Sequence, residues 1–288
     1  MTSPPMAELS FAILKLLPKN TLSRALGAVL RAPLPHAVHK QIIKRFAKAY
    51  GVNASESEQE ITSYRTFAEF FTRRLKAGLR PIAPGEQLPV SPVDGTLGEF
   101  GPITGGTLVQ AKGKSYTVAE LLGGPEAPAD AAKFEGGTFV TIYLAPYNYH
   151  RIHTPLGGQI TGYTYVPGQL WPVNAVGVRN VEKLFCVNER LTTFIESPAG
   201  LVGVVAVGAT NVGRIRALYD DVVTNARRAR SGLKKKYEQT IAVDKGGEVA
   251  VFEMGSTVVL LFAQKFEIAD GLQTGQPITL GVPLGRGG

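Results

Sequence analysis

Residues 249–262 read Val-Ala-Val-Phe-Glu-Met-Gly-Ser-Thr-Val-Val-Leu-Leu-Phe, a β-type pattern of two apolar runs interrupted around Gly255-Ser256. A Gly-Ser between apolar runs ordinarily makes a turn or bulge. The context is not G-x-S-x-G, so a nucleophile elbow is unsupported. Working outward, Thr138–Leu144, Ile160–Val166, Leu184–Asn188, Leu191–Glu196 and Leu201–Val207 are further β-type runs separated by Gly, Pro or Asn. The 33 glycines and 19 prolines are spread along the chain, which suits many short strands joined by tight turns. With 288 residues, 44% of them hydrophobic, there is ample material for a buried core.

The first 50 residues read differently. Leu22, Leu26, Val29 and Leu30 recur at helical spacing until Pro33 and Pro35 interrupt. A second helix carries Val38, Ile42, Ile43, Phe46 and Tyr50 on one side and closes at Gly51. Residues 64–80 suggest a further helix, closed by Gly78 and Pro81. Helices first and strands later predict an α+β chain: residues 1–50 as a basic helical segment, residues 51–288 as a compact β-rich body.

Charge sharpens the division. Residues 1–50 hold eight basic side chains and one acid, Glu8, a net +7, so the total of +8 leaves the other 238 residues at +1. Basic amphipathic helices can lie in a membrane interface, and Phe11, Leu14, Leu26 and Val29 are the apolar residues expected to face it. The apolar stretch Leu9–Leu17 is too short to span a bilayer and contains Lys15, and no secretory signal is expected. The expectation is a peripheral protein on the cytoplasmic face of the cell membrane. A second basic cluster, Arg227, Arg228, Arg230 and Lys234 to Lys236, reads as a solvated loop. The single cysteine, Cys186, cannot form an internal disulfide and reads as core.

Chemistry-bearing residues are few. His150 and His153 fall in the Pro-bounded stretch Pro146–Pro155, where functional side chains are often held. A metal reading of His-x-x-His lacks a third and fourth ligand. Asp94-Gly95 alone would mark a turn. From the residues themselves, a membrane-binding β domain without activity and a conventional serine hydrolase both stay open.

Taken together, in order and spacing, the Asp94-Gly95, His150-x-x-His153 and Gly255-Ser256-Thr257 segments resemble the bacterial pyruvoyl-dependent phosphatidylserine decarboxylase proenzymes. Tyr64-Arg-Thr-Phe with Glu69-Phe-Phe, Arg80-Pro-Ile, Gln110-Ala-Lys-Gly, Tyr165-Val-Pro-Gly-Gln-Leu and Val207-Gly-Ala-Thr add to the resemblance. Met254 replaces the family's usual Leu, a volume-conserving change. The resemblance implies that the chain cuts itself between Gly255 and Ser256. The Ser256 hydroxyl attacks the Gly255 carbonyl to form an ester, elimination leaves dehydroalanine, and hydrolysis gives a pyruvoyl group and ammonia. It implies His153 as base, Asp94 as its partner, and His150 as the group that protonates the decarboxylated substrate. The pyruvoyl group, formed from Ser256, would bind phosphatidylserine as a Schiff base, with no metal and no pyridoxal phosphate. The implied partners are the anionic phospholipid surface and the two chains of the precursor. A homodimer is compatible with the resemblance, and no nucleic acid is expected.

Overall fold

The structure, a computed structural model, describes residues 18–111, 114–210, 214–225, 233–253 and 256–286. Leu9–Leu17 with Phe11 and Leu14, the Lys112-Gly113 part of the Gln110 motif, Arg227, Arg228 and Arg230, and Met254-Gly255 lie outside the described residues.

Two helices open the described chain, α1 (Lys19–Arg31) and α2 (His36–Tyr50). Neither has a side-chain N-cap or an acidic first turn. At 13 and 15 residues they are marginal in isolation and depend on docking. Gly51 closes α2 at φ 70, the left-handed cap that glycine adopts readily. Ile43, Ala47 and Phe46 of α2 pack against Phe67, Phe70 and Phe71 of the short helix α3 (Phe67–Phe71). Val38, Ile42 and Tyr50, expected on the same apolar face, are instead exposed.

The helix predicted over 64–80 stops at Phe71. Beyond it the backbone finds partners elsewhere: Glu58 N–H donates to Arg74 O, and Lys76 N–H to Glu56 O, both at 2.9 Å. That pairing draws residues 74–76 out of helical geometry.

From residue 95 the chain is mainly strand. In order these are β1 (Gly95–Pro102), β2 (Thr107–Ala111), β3 (Lys114–Thr117), β4 (Thr138–Leu144), β5 (Arg151–His153), β6 (Gly158–Val166) and β7 (Arg190–Ser197). Then follow β8 (Gly200–Val207), β9 (Ile215–Ala217), β10 (Leu233–Val243), β11 (Glu248–Phe252), β12 (Ser256–Phe262) and β13 (Pro277–Ile278). Between them lie α4 (Val118–Leu122), α5 (Ala127–Ala132), α6 (Ala175–Asn180) and α7 (Leu184–Val187). Eight strands form one sheet in the order β10-β6-β7-β8-β12-β4-β1-β13, a second sheet is β5-β11-β9, and β2-β3 is a hairpin.

The large sheet is covered on both faces, which explains its continuous apolar runs. In β12, Val258, Leu260 and Phe262 enter one core with Ile152, Val249 and Phe252 of the small-sheet side. Val259 and Leu261 enter the other, with Leu108, Tyr116, Leu121 and Phe134. Alternation persists, but each side meets apolar partners.

Two sequence expectations are corrected here. Leu184–Asn188, expected as a strand, forms helix α7 over its first four residues. Lys183 turns the chain at φ 50, and the Gln110 side chain accepts from Leu184 N–H at 2.8 Å. An apolar run this short carries no period of its own. Lys234 to Lys236, expected in a solvated loop, belong to the edge strand β10. Lys234 pairs with Glu126 and Asp130, and Lys235 with Asp220 at 2.6 Å. Cationic side chains on an edge strand oppose pairing with another chain. Cys186 packs beside the second core, where burial pushes its thiol up to about 12.

Candidate active site

Two connections pass between the large and small sheets at the same corner. Residues 145–150 lead from β4 to β5, and residues 253–255 lead from β11 to β12. β4 pairs with β12, Leu144 opposite Ser256, while β5 pairs with β11, Arg151 opposite Val251. Strand pairing therefore brings His150 beside the strand end that leads to Ser256, while His153 lies opposite Glu248, further along β11. The Phe252 N–H donates to His150 O at 2.9 Å, fixing His150 beside the segment that leads to Ser256.

A tight turn sets the His150 ring. Asn148 N–H donates to Ala145 O, and Asn148 Oδ1 accepts from Ala145 N–H at 2.8 Å. His150 Nδ1 lies 2.8 Å from Asn148 O. A carbonyl only accepts, so Nδ1 carries the proton and Nε2 presents its lone pair. That Nε2 is buried and has no hydrogen-bond partner among the described residues, and the ring packs on Phe71 with centroids 4.1 Å apart. Burial, with help from the Arg73 charge, pushes the imidazole down to about 3, so it is neutral at ordinary pH.

Arg73 is the least expected member of the site. It is 4% exposed, donates from Nη2 to Tyr147 O at 3.3 Å, and among the described residues its Nε and Nη1 have no partner. Burial lowers its pKa, while the carboxylates of Glu56 and Asp94 favour its charge. Among the described residues Thr257 Oγ1 also lacks a partner, but strand alternation turns it towards the second core with Val259 and Leu261. Unsatisfied buried polar atoms are costly, and His150 Nε2 with the neighbouring Arg73 guanidinium marks a place prepared for another polar group.

His153 is held in the same tautomer. Nδ1 donates to Gly246 O at 2.7 Å, and Nε2 accepts from the Tyr149 hydroxyl at 3.1 Å. Burial pushes its pKa down, while the carboxylates of Glu248 and Asp94 pull the other way. Asp94 lies close enough to act through charge, but its hydrogen bonds go elsewhere. Both of its oxygens accept from Arg80, at 2.7 to 3.0 Å, and Oδ1 also accepts from Leu280 N–H at 2.8 Å. Arg80 in turn reaches Glu56 at 2.9 Å, and its pKa is raised chiefly by the bond to Asp94. The Asp94-Gly95 pair is not a turn. Gly95 opens β1, and a Cβ there would lie 2.5 Å from Tyr143 O of β4.

Arg73, Arg80 and Tyr149 were not singled out by sequence reasoning. Arg80 and Tyr149 lie inside motifs that drew attention for other residues. Arg73, beside Arg74 in an apparent amphipathic helix, gave no sign of burial. A cavity of about 820 Å³, lined in part by Leu88, Phe262 and Phe266, lies at the other end of β12. Six residues at strand rise separate Phe262 from Ser256, about 20 Å, so that cavity is not part of this corner. Among the described residues, no helix is long and apolar enough to cross a membrane.

The phosphatidylserine decarboxylase family matches residues 67–286. A phosphatidylserine decarboxylase proenzyme of Myxococcus xanthus (strain DK1622) is 50% identical over 274 residues, covering 95% of this chain and 96% of the relative. One from Anaeromyxobacter sp. (strain K) is 51% identical over 281 residues, covering 96% and 98%. One from Brevibacillus brevis is 44% identical over 270 residues, covering 93% and 94%.

Proposed function

The chain belongs to the phosphatidylserine decarboxylase family, and from that premise we propose that it converts phosphatidylserine to phosphatidylethanolamine with a pyruvoyl group that it makes from Ser256. The observation that supports this reading is the corner itself, where β5 pairs with β11 and the Phe252 N–H, four residues before Ser256, donates to His150 O. His153, neutral and with a fixed tautomer, suits a base for the Ser256 hydroxyl once Tyr149 yields its Nε2. Asp94, braced by Arg80, supports the imidazolium through charge.

The chain's own atoms suit a pyruvoyl group at this position. Among the described residues, His150 Nε2 and Arg73 Nε and Nη1 are buried and lack partners. The group would supply a carbonyl that takes the substrate amine and accepts the electron pair freed as CO2 leaves. His150 is neutral, so it can take the proton that the substrate ammonium must lose and return one to the α-carbon. It does not arrive as a donor. The exposed faces of α1 and α2 hold the protein to an anionic leaflet, on the cytoplasmic face.

On a denaturing gel the purified protein should run as two chains, residues 1–255 and 256–288, confirmed by intact mass. The smaller should resist stepwise N-terminal sequencing and gain the mass of a carbonyl-reactive probe. A single uncut species that still decarboxylates the lipid would overturn the reading.

A further inference from the structure

The residue two places before the proposed cut is held by charge from the far end of the chain. Glu253 is 14% exposed at its side chain and accepts from Arg31 Nη1, in the last turn of α1, at 2.9 Å. Its other oxygen lies 3.5 Å from Arg214 Nε, and its backbone N–H donates to Arg214 O at 3.0 Å. Arg31 lies back across Gly27, where a Cβ would come within 3.1 Å of Nη1. The start of α1 is docked as well: Asn20 Nδ2 donates to Gly168 O at 2.8 Å, and Lys19 Nζ sits 3.8 Å over the Trp171 ring. The helix is thus tied to the body at both ends, and one tie is to the strand end that enters the scissile segment.

We propose that Glu253 is a positioning residue for self-cleavage, gripped by Arg31 and Arg214, so that docking of the basic helix α1 sets the rate of cutting at Gly255–Ser256. The inference rests on the reading that the chain cuts there. Acyl transfer within a backbone demands close alignment of hydroxyl and carbonyl. The β12 ladder holds Ser256 on one side of the cut, and this ion pair holds Glu253 on the other. Releasing Glu253 loosens the approach without touching base or nucleophile. After cutting, the same pair keeps the new end of the long chain seated at the site.

The full chain is made by cell-free translation, and conversion of precursor to two fragments is timed. Arg31→Gln and Glu253→Gln should each slow cutting by roughly three- to fivefold, the range of a partly exposed ion pair. The double variant should be no slower than either, and Arg31→Lys should recover most of the rate. Lys265→Gln, the same charge loss at an exposed cation outside α1 and α2, should cut normally. Raising KCl from about 0.1 M to about 1 M shortens the screening length from about 10 Å to 3 Å. That should slow the natural sequence towards the variants and leave the variants unchanged, a response that mere loss of stability would not give. Variants that cut at the natural rate, or effects that multiply in the double variant, overturn the clamp alone. A natural sequence that never cuts overturns the self-cleavage reading, and the clamp with it.

Discussion

At the scale of single residues, the two histidines differ in what their second nitrogen meets. His153 Nε2 is occupied by Tyr149, and His150 Nε2 faces the buried interior unpartnered. Ser256→Ala and His153→Ala should leave the precursor uncut, and Asp94→Asn should slow cutting severely. His150→Ala should still cut, at least in part, yet lose decarboxylation by roughly 10²–10⁴-fold, the usual worth of a positioned acid–base group. If His150→Ala blocks cutting while His153→Ala cuts normally, the roles are exchanged. Burial of His150 also has a pH signature. Its folded pKa, about 3, lies below the unfolded value near 6.5. The unfolded chain therefore binds a proton that the folded chain refuses. Stability should fall by up to about 1.4 kcal/mol per unit as pH drops below 6.5. His153, also depressed by burial, adds to the slope. Denaturant midpoints of uncleavable Ser256→Ala, measured from pH 7 to 5, should show this slope, and adding His150→Gln should flatten it. An unchanged slope would mean that His150 is solvated.

Among the elements, the close approach of β1 to β4 positions the Asp94 side of the site. A methyl group at Gly95 would meet Tyr143 O at 2.5 Å and Ile142 Cγ2 at 2.7 Å, and neither backbone can give way without breaking the ladder. Gly95→Ala should cost about 2 kcal/mol or more and slow cutting by shifting Asp94. Unfolding midpoints and precursor conversion would measure both, and a variant with natural values would show that the strands have slack. This element also shows what a sequence can disclose. Five strands of the large sheet, β4, β6, β7, β8 and β12, were legible because β-type apolar runs bounded by Gly, Pro and Asn sit between two cores, whereas the less apolar β1, β10 and β13 were not. Asp94, His150, His153 and Ser256 stood out only as a joint pattern, since Asp-Gly and Gly-Ser each pass for turns. Leu184–Asn188 misled because a partner distant in sequence, Gln110, decides its local geometry. Arg73 was hidden for a similar reason: its burial depends on segments 56–58 and 147–150, which a local helical pattern does not contain.

For the whole molecule, the net +7 of residues 1–50 overstates the charge that a membrane would meet. Lys19 is buried against Trp171, and Arg31 is paired with Glu253. Arg24, Lys44, Arg45 and Lys48 are exposed, and Lys40 is half-buried. The apolar side chains tell the same story from the other direction. Among the described residues, six of the eleven exposed large hydrophobic side chains, Leu22, Val29, Leu34, Val38, Ile42 and Tyr50, belong to residues 22–50, so exposed apolar surface collects where the exposed cations are. A surface of that composition should bind anionic vesicles in two parts. The cationic part contributes ~1 kcal/mol per residue near the leaflet and fades as salt shortens the screening length. The apolar part resists salt. Vesicle flotation of Lys44→Gln/Arg45→Gln/Lys48→Gln should lose most of the salt-sensitive binding. Leu22→Asp/Val38→Asp should instead lose the remainder that survives high salt. These side chains are outward-facing, Leu22 at 47% and Val38 at 46% exposure, so neither change should disturb the core. Both proteins keep Arg31 and Glu253 and should cut at the natural rate while acting poorly on vesicles. Should both float as well as the natural protein, the outer faces of α1 and α2 are not the membrane-binding surface, and another part of the protein meets the lipid.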